Sequence, residues 1–154
     1  MEKTNLFSHI LVPTDGSDTS TRAGIVASEL AQIHESSITF IYVVDSATVN
    51  EIADTMSRST DAIRRELETK GQHYLDYLSR IAEDKGLTAD QVISFGIPHD
   101  EIAEAARRRS ADLIVIGRVG CRGPRCVLIG SVAERVLERA PCPVLVVGQG
   151  PNRR

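Results

Sequence analysis

Gly117, Gly120 and Gly123 recur at three-residue intervals, interleaved with Arg118, Arg122 and Arg125, and Gly130–Ser131 follows. Glycine lets the main chain approach a ligand closely. A helix that starts after such a loop leaves unpaired N–H donors and the positive end of its dipole. With the Ser131 hydroxyl and several guanidinium groups nearby, this set of groups can surround an anion, a phosphate in first place. The same spacing also suits a tight strand-to-helix connection with solvated arginines, and the glycines alone leave both readings open. Two other phosphate loops are excluded. No Gly-Lys-Ser/Thr follows the glycines, so no lysine is placed on terminal phosphates. The GxxGxxG spacing is not the dinucleotide fingerprint, and no acidic residue lies at the interval that fingerprint requires.

The loop needs elements to hold it. Leu113–Ile116 is an unbroken apolar run and reads as a buried strand. A helical pattern covers Val132–Arg139, Pro141 and Pro143 bracket a stop, and Val144–Val147 is a second apolar strand. Upstream, His9–Val12 is a strand ended by Pro13, and Thr14–Asp18 is a polar turn able to cap a helix. In that helix Ala23, Val26, Ala27, Leu30 and Ile33 trace one buried face, with a solvated His34 at its end. Ile38–Val44 is β-branched and aromatic, a central strand. Residues 46–60 are poorly periodic and read as a loop with at most a turn of helix, a candidate mobile cover. Asp61–Lys85 is a long amphipathic helix on the stripe Ile63, Leu67, Tyr74, Leu75, Leu78 and Ile81. Gly71 interrupts it, marking a close contact or a kink, and Gly86 stops it. Asp90–Phe95 is less apolar and belongs nearer an edge. Pro98 opens a helix with Asp100 and Glu101 in its first turn and Arg107–Arg109 in its last, which matches the dipole at both ends. His99 in that first turn reads as a surface group. The alternation of strands and helices predicts an α/β fold, a parallel sheet with helices on both faces.

Gly117-x2-Gly120-x9-Gly130-Ser131 resembles the nucleotide loop of the universal stress protein family. The following SVAERVLERAPCPVLVV resembles that family's closing helix and strand, and HILVPTDGSDTS its first strand and turn, with Asp15 at the strand end. The resemblance runs from about His9 to Gly148. It implies one doubly wound three-layer domain over residues 1–154, with its core at about 8–148, and a five-stranded parallel sheet in the order 3-2-1-4-5. The winding then reverses between strands 1 and 4, where ligands sit beyond the strand ends. The resemblance implies ATP there, or ADP or AMP, with Mg2+ or Mn2+ bridging the phosphates. Gly120, Gly130, Ser131 and Val132 would hold the phosphates, with Gly117 and Arg118 at the start of the loop. Pro13, Thr14 and Asp15 would lie at the nucleoside, and main-chain groups near Val43 would read the adenine edge. It further implies a stress-response regulator, paired as a homodimer through Val144–Val147; no obvious base for water activation stands in the loop, so little or no hydrolysis is expected. A dimeric interaction module that binds no nucleotide and a slow hydrolase are the alternatives. Val119 stands where many nucleotide-binding members carry a basic residue, and Pro124 and Cys126 also depart from the pattern. Arg118, Arg122 and Arg125 supply charge from other positions.

Composition narrows the classes. Of 154 residues 42% are apolar, which excludes a disordered chain. The apolar runs are strand-length, too short to span a bilayer. MEKTNLFSH holds no apolar signal core, so a cytoplasmic location is expected. A net charge of −3 gives no global attraction to nucleic acid or an anionic membrane. Cys121, Cys126 and Cys142 form neither a CxxC pair nor a zinc pattern and read as small filler residues, although arginines beside the first two would lower a thiol pKa.

Overall fold

The computed structural model describes residues 5–119 and 128–150. Five strands, β1 (His9–Pro13), β2 (Ser37–Asp45), β3 (Ala89–Gly96), β4 (Leu113–Gly117) and β5 (Val144–Val147), form one sheet in the order β3-β2-β1-β4-β5. Every neighbouring pair is parallel, with Ile10 opposite Ile38 on one side and Leu113 on the other. The expected strand order is therefore the observed one. β3 lies at an edge and is only half-buried, as its weaker apolar character predicts.

Strand alternation divides the core in two. Ile10, Val12, Phe40, Val44, Leu113 and Val115 face one side. There they meet α1 (Asp18–His34), α2 (Ser46–Met56) and α3 (Thr60–Asp84) through Ala23, Val49, Leu75 and Leu78. Leu11, Ile41, Ile114 and Ile116 face the other side and meet α4 (Pro98–Arg108) and α5 (Ser131–Arg139) through Ile102, Ala106, Ala133 and Val136. Successive residues of β1 and β4 thus serve opposite layers, the period-two geometry of a sheet covered on both faces.

Two sequence readings are corrected. Residues 46–60 are not a loop, because Ser46–Met56 is a helix whose N-cap Asp45 accepts a bond from Ala47 N at 3.0 Å. Its apolar face is narrow, with only Val49 and Ala53 buried, so packing rather than periodicity reveals it. Ile33 is not on the buried face of α1 but 69% exposed. The small residues Gly24, Ser28 and Ala31 are buried instead, which lets α1 lie close to its neighbours. Gly71 marks a close contact, since a Cβ there would lie 2.1 Å from Tyr42 Cδ1. At the end of α3, Gly86 takes a φ of +79°, and its N–H reaches Glu83 O at 2.8 Å.

Candidate functional site

β1 and β4 are adjacent, yet the chain leaves β1 toward β2 and leaves β4 toward β5, so the two exits diverge above the sheet. A cleft of about 720 Å³ opens there. This is the size of small-molecule sites, which run to roughly 300–1,000 Å³. Pro13, Thr14 and Asp15 form one wall, and Gly117, Arg118, Gly130, Ser131 and Val132 form the opposite wall. Val43 lies on the β2 side. Nine of the ten expected site residues are therefore brought together; Gly120 lies outside the described residues, as do Cys121, Arg122, Gly123, Pro124, Arg125 and Cys126.

Each wall is locked by its own bonds. Thr14 is buried, and its N–H donates to Ile41 O at 2.9 Å. The Asp15 carboxylate is exposed and accepts from Ser17 N at 2.9 Å, which shapes the turn. The cap of α1 is Ser17 itself, whose hydroxyl accepts from Ser20 N. Asp15 is therefore spared that duty. On the other wall, Arg118 N donates to Val147 O at 2.8 Å, and Arg118 O accepts from Gly130 N at 2.6 Å. The start of α5 is thereby fastened to the end of β4. A Cβ at Gly117 would lie 2.9 Å from Ser20 N, so this glycine lets β4 meet the first turn of α1. The Thr19 hydroxyl in that turn donates to the Val119 carbonyl.

The helix starts decide the electrostatics. The N-caps of α1, α2 and α3 are Ser17, Asp45 and Ser59, each with a side chain accepting from the first turn. The N-caps of α4 and α5 are Ile97 and Gly130, neither with a side-chain bond. Both uncapped starts, through Pro98 and through Gly130–Val132, line the cleft. Pro98 has no N–H, so α5 is the richer donor, with first-turn amides free of helical partners. Arg118 adds a guanidinium whose buried Nε has no hydrogen-bond partner among the described residues. Unpaired donors and positive charge on one wall suit an anion.

Local patterns did not single out several lining residues. Asp45, Thr48, Leu67 and Lys70 reach the cleft from β2, α2 and α3. Asp45 and Thr48 bond to each other at 3.2 Å. Lys70 follows the stripe residue Leu67 by three positions, a spacing that places it on the same flank of α3. His99 does not line the cleft; its Nε2 lies 3.6 Å from Asp100. His34 is not simply solvated, since its ring meets Phe7 edge-on at 5.5 Å. A second depression of about 340 Å³ lies under α4, lined in part by Ser94, Glu101, Glu104, Arg108 and Arg109. Its charges satisfy one another or their neighbours: Ser94 bonds Glu101, Arg108 pairs with Glu104 at 3.0 Å, and Arg109 with Asp90 at 3.2 Å. That leaves the switch-point cleft as the place where donors face open space.

The profile of the Universal stress protein family matches residues 6–148. A universal stress protein of Methanocaldococcus jannaschii is 39% identical over 143 residues, which cover 93% of this chain and 83% of that relative. Among solved structures, the universal stress protein UspA from Lactobacillus plantarum aligns with a TM-score of 0.80 at 30% identity, over 91% of this chain and 97% of that one. A universal stress protein in complex with cAMP aligns with a TM-score of 0.61 at 28% identity, over 92% and 96% of the two chains.

Proposed function

The chain belongs to the universal stress protein family, and from that premise we propose that its cleft holds an adenine nucleotide, ATP in first place, as the ligand of a regulatory protein. One observation carries the reading. The uncapped start of α5 faces Asp15 across a cleft of about 720 Å³, with both walls lined by residues of the nucleotide pattern. The first-turn amides of α5 and the Ser131 hydroxyl take the phosphates. Asp15 accepts from a ribose hydroxyl or a base N–H, and main-chain groups at Val43 meet the adenine edge. The relative in complex with cAMP supports an adenine ligand on this fold. Mg2+ or Mn2+ would neutralise charge on the phosphate oxygens. No cluster of three His, Cys, Asp or Glu among the described residues is arranged for a metal, so the ion would ride on the phosphates, with Asp15 and Asp45 as carboxylates lining the cleft.

The test is direct. Nucleotide released from the purified protein is identified by mass, and binding is titrated for the wild type, Asp15→Ala and Gly130→Val. Gly130 has φ −73° and ψ 158°, a conformation that valine adopts freely, so a loss there reports an obstructed cleft rather than a strained backbone. The expected result is an adenine nucleotide with the wild type and at least a tenfold loss in each variant at unchanged circular dichroism, for Asp15→Ala the size of one lost charge-assisted contact and for Gly130→Val the effect of an obstructed cleft. Variants that bind as tightly as the wild type overturn the assignment. The reading also places the protein's work in holding nucleotide rather than in turnover, so phosphate release no faster than in buffer is expected. A homodimer through Val144–Val147 completes the proposal.

A further inference from the structure

Arg118 ties the two ends of the anion wall together. Its main chain pairs with β5 through Val147 O and with the cap residue of α5 through Gly130 N. Its side chain then runs toward the end of β5, since a Cβ at Gly148 would lie 3.5 Å from Arg118 Nε. The sheet order gives this direction a meaning. Val43 lies near the end of β2, Asp15 follows β1, α5 starts beside the end of β4, and the Arg118 side chain lies beyond, toward β5. A nucleotide laid across these strand ends meets its pockets in that sequence: base, sugar, first phosphate, then Arg118. A monophosphate ends at the α5 amides. A longer chain continues to the guanidinium.

Two further observations point the same way. Arg118 lines the cleft, and its buried Nε–H has no acceptor among the described residues. A buried donor of this kind calls for an acceptor, and a phosphate oxygen is one that a guanidinium matches in geometry as well as charge. The neighbouring position is Val119, which offers no charge, so Arg118 is the cation on this wall of the cleft among the described residues.

We infer that Arg118 is the residue by which the cleft measures phosphate-chain length, favouring nucleoside di- and triphosphates over monophosphates. The inference rests on the nucleotide reading above and adds a selectivity to it. ATP, ADP and AMP are titrated calorimetrically with the wild-type chain and with Arg118→Gln, each in magnesium buffer. The quantity read is the ratio of the AMP to the ATP dissociation constant. In the wild type that ratio is about tenfold or more, the worth of one charge-assisted contact to phosphate. It falls as salt is raised. In Arg118→Gln it drops toward unity. A wild-type ratio near one overturns the inference without any variant, and so does a ratio that Arg118→Gln leaves unchanged. In both cases the nucleotide reading stands. A wild-type chain that binds none of the three overturns both.

Discussion

A methyl group at position 71 would lie 2.1 Å from Tyr42 Cδ1 and 2.5 Å from its Cε1. Two effects compete in Gly71→Ala. Alanine gains about 1 kcal/mol of helix propensity over glycine in a helix interior. Pushing an aromatic ring in a packed core costs about 1–3 kcal/mol. Tyr42 is only 9% exposed and packs on Tyr74 with ring centroids 6.0 Å apart, so the ring has little room and the steric cost wins. Gly71→Ala is therefore expected to destabilise the wild type in urea denaturation yet to stabilise a Tyr42→Val background. Additive effects in the double variant would contradict the steric account. Sequence alone showed that Gly71 interrupts a helix. It did not show whether to expect a kink or a contact, because the answer is a ring on another element.

At the scale of elements, the end of the sheet opposite the cleft holds a polar cluster. His9 at the start of β1 bonds through Nε2 to Thr39 Oγ1 at 2.9 Å, and its N–H donates to Asp112 Oδ1 at 3.0 Å. Arg109, after α4, also reaches Thr39 Oγ1 and pairs with Asp90 of β3. Burial, and then the Arg109 charge, lower the His9 pKa from its ordinary 6.5, while Asp112 and Asp90 act in the opposite sense. A base whose pKa is lowered by folding is protonated more readily in the unfolded chain. Its contribution is fully present above pH 6.5 and is lost as pH falls through the window just below it. Urea midpoints measured from pH 7.5 down to 5 should therefore decline in the wild type and decline less in His9→Gln. An identical slope in the two proteins would remove His9 as the source. The cysteine at position 142 behaves in the same spirit, since burial and then Asp112 raise its thiol pKa, so it stays protonated and unreactive.

For the whole molecule, the sheet ends in β5, whose outer edge pairs with no strand among the described residues. β5 is the last strand in the order, Leu145 is 39% exposed, and Leu137 and Val132 of α5 are 46% and 39% exposed. An apolar strand edge of this kind invites pairing with another strand. The proposed homodimer uses that edge, so sedimentation should give a dimer for the wild type and a monomer for Leu145→Lys, whose two copies would place like charges at a two-fold contact. A wild-type monomer at micromolar concentration would exclude the pairing. Among the described residues no helix is long and apolar enough to cross a membrane, so the exposed apolar surface is not a spanning segment.

The order and faces of the main elements could be read directly from the chain. Apolar residues at every second position of β1 and β4, and at every third or fourth position of α3, state locally which side must be buried, and no distant residue is needed to decode them. Both halves of the cleft stood out as strand ends followed by turn and glycine patterns at Pro13–Asp15 and Gly117–Ser131, but it was the resemblance to a family's nucleotide loop and first strand that implied they share one site. Folding alone decided what meets across the chain. The helix at Ser46–Met56, Lys70 and Thr48 in the cleft, Gly71 under Tyr42, and Arg118 laid along Gly148 are contacts between elements distant in sequence. Such contacts depend on how layers pack, and the periodicity of a single segment carries no record of its neighbours.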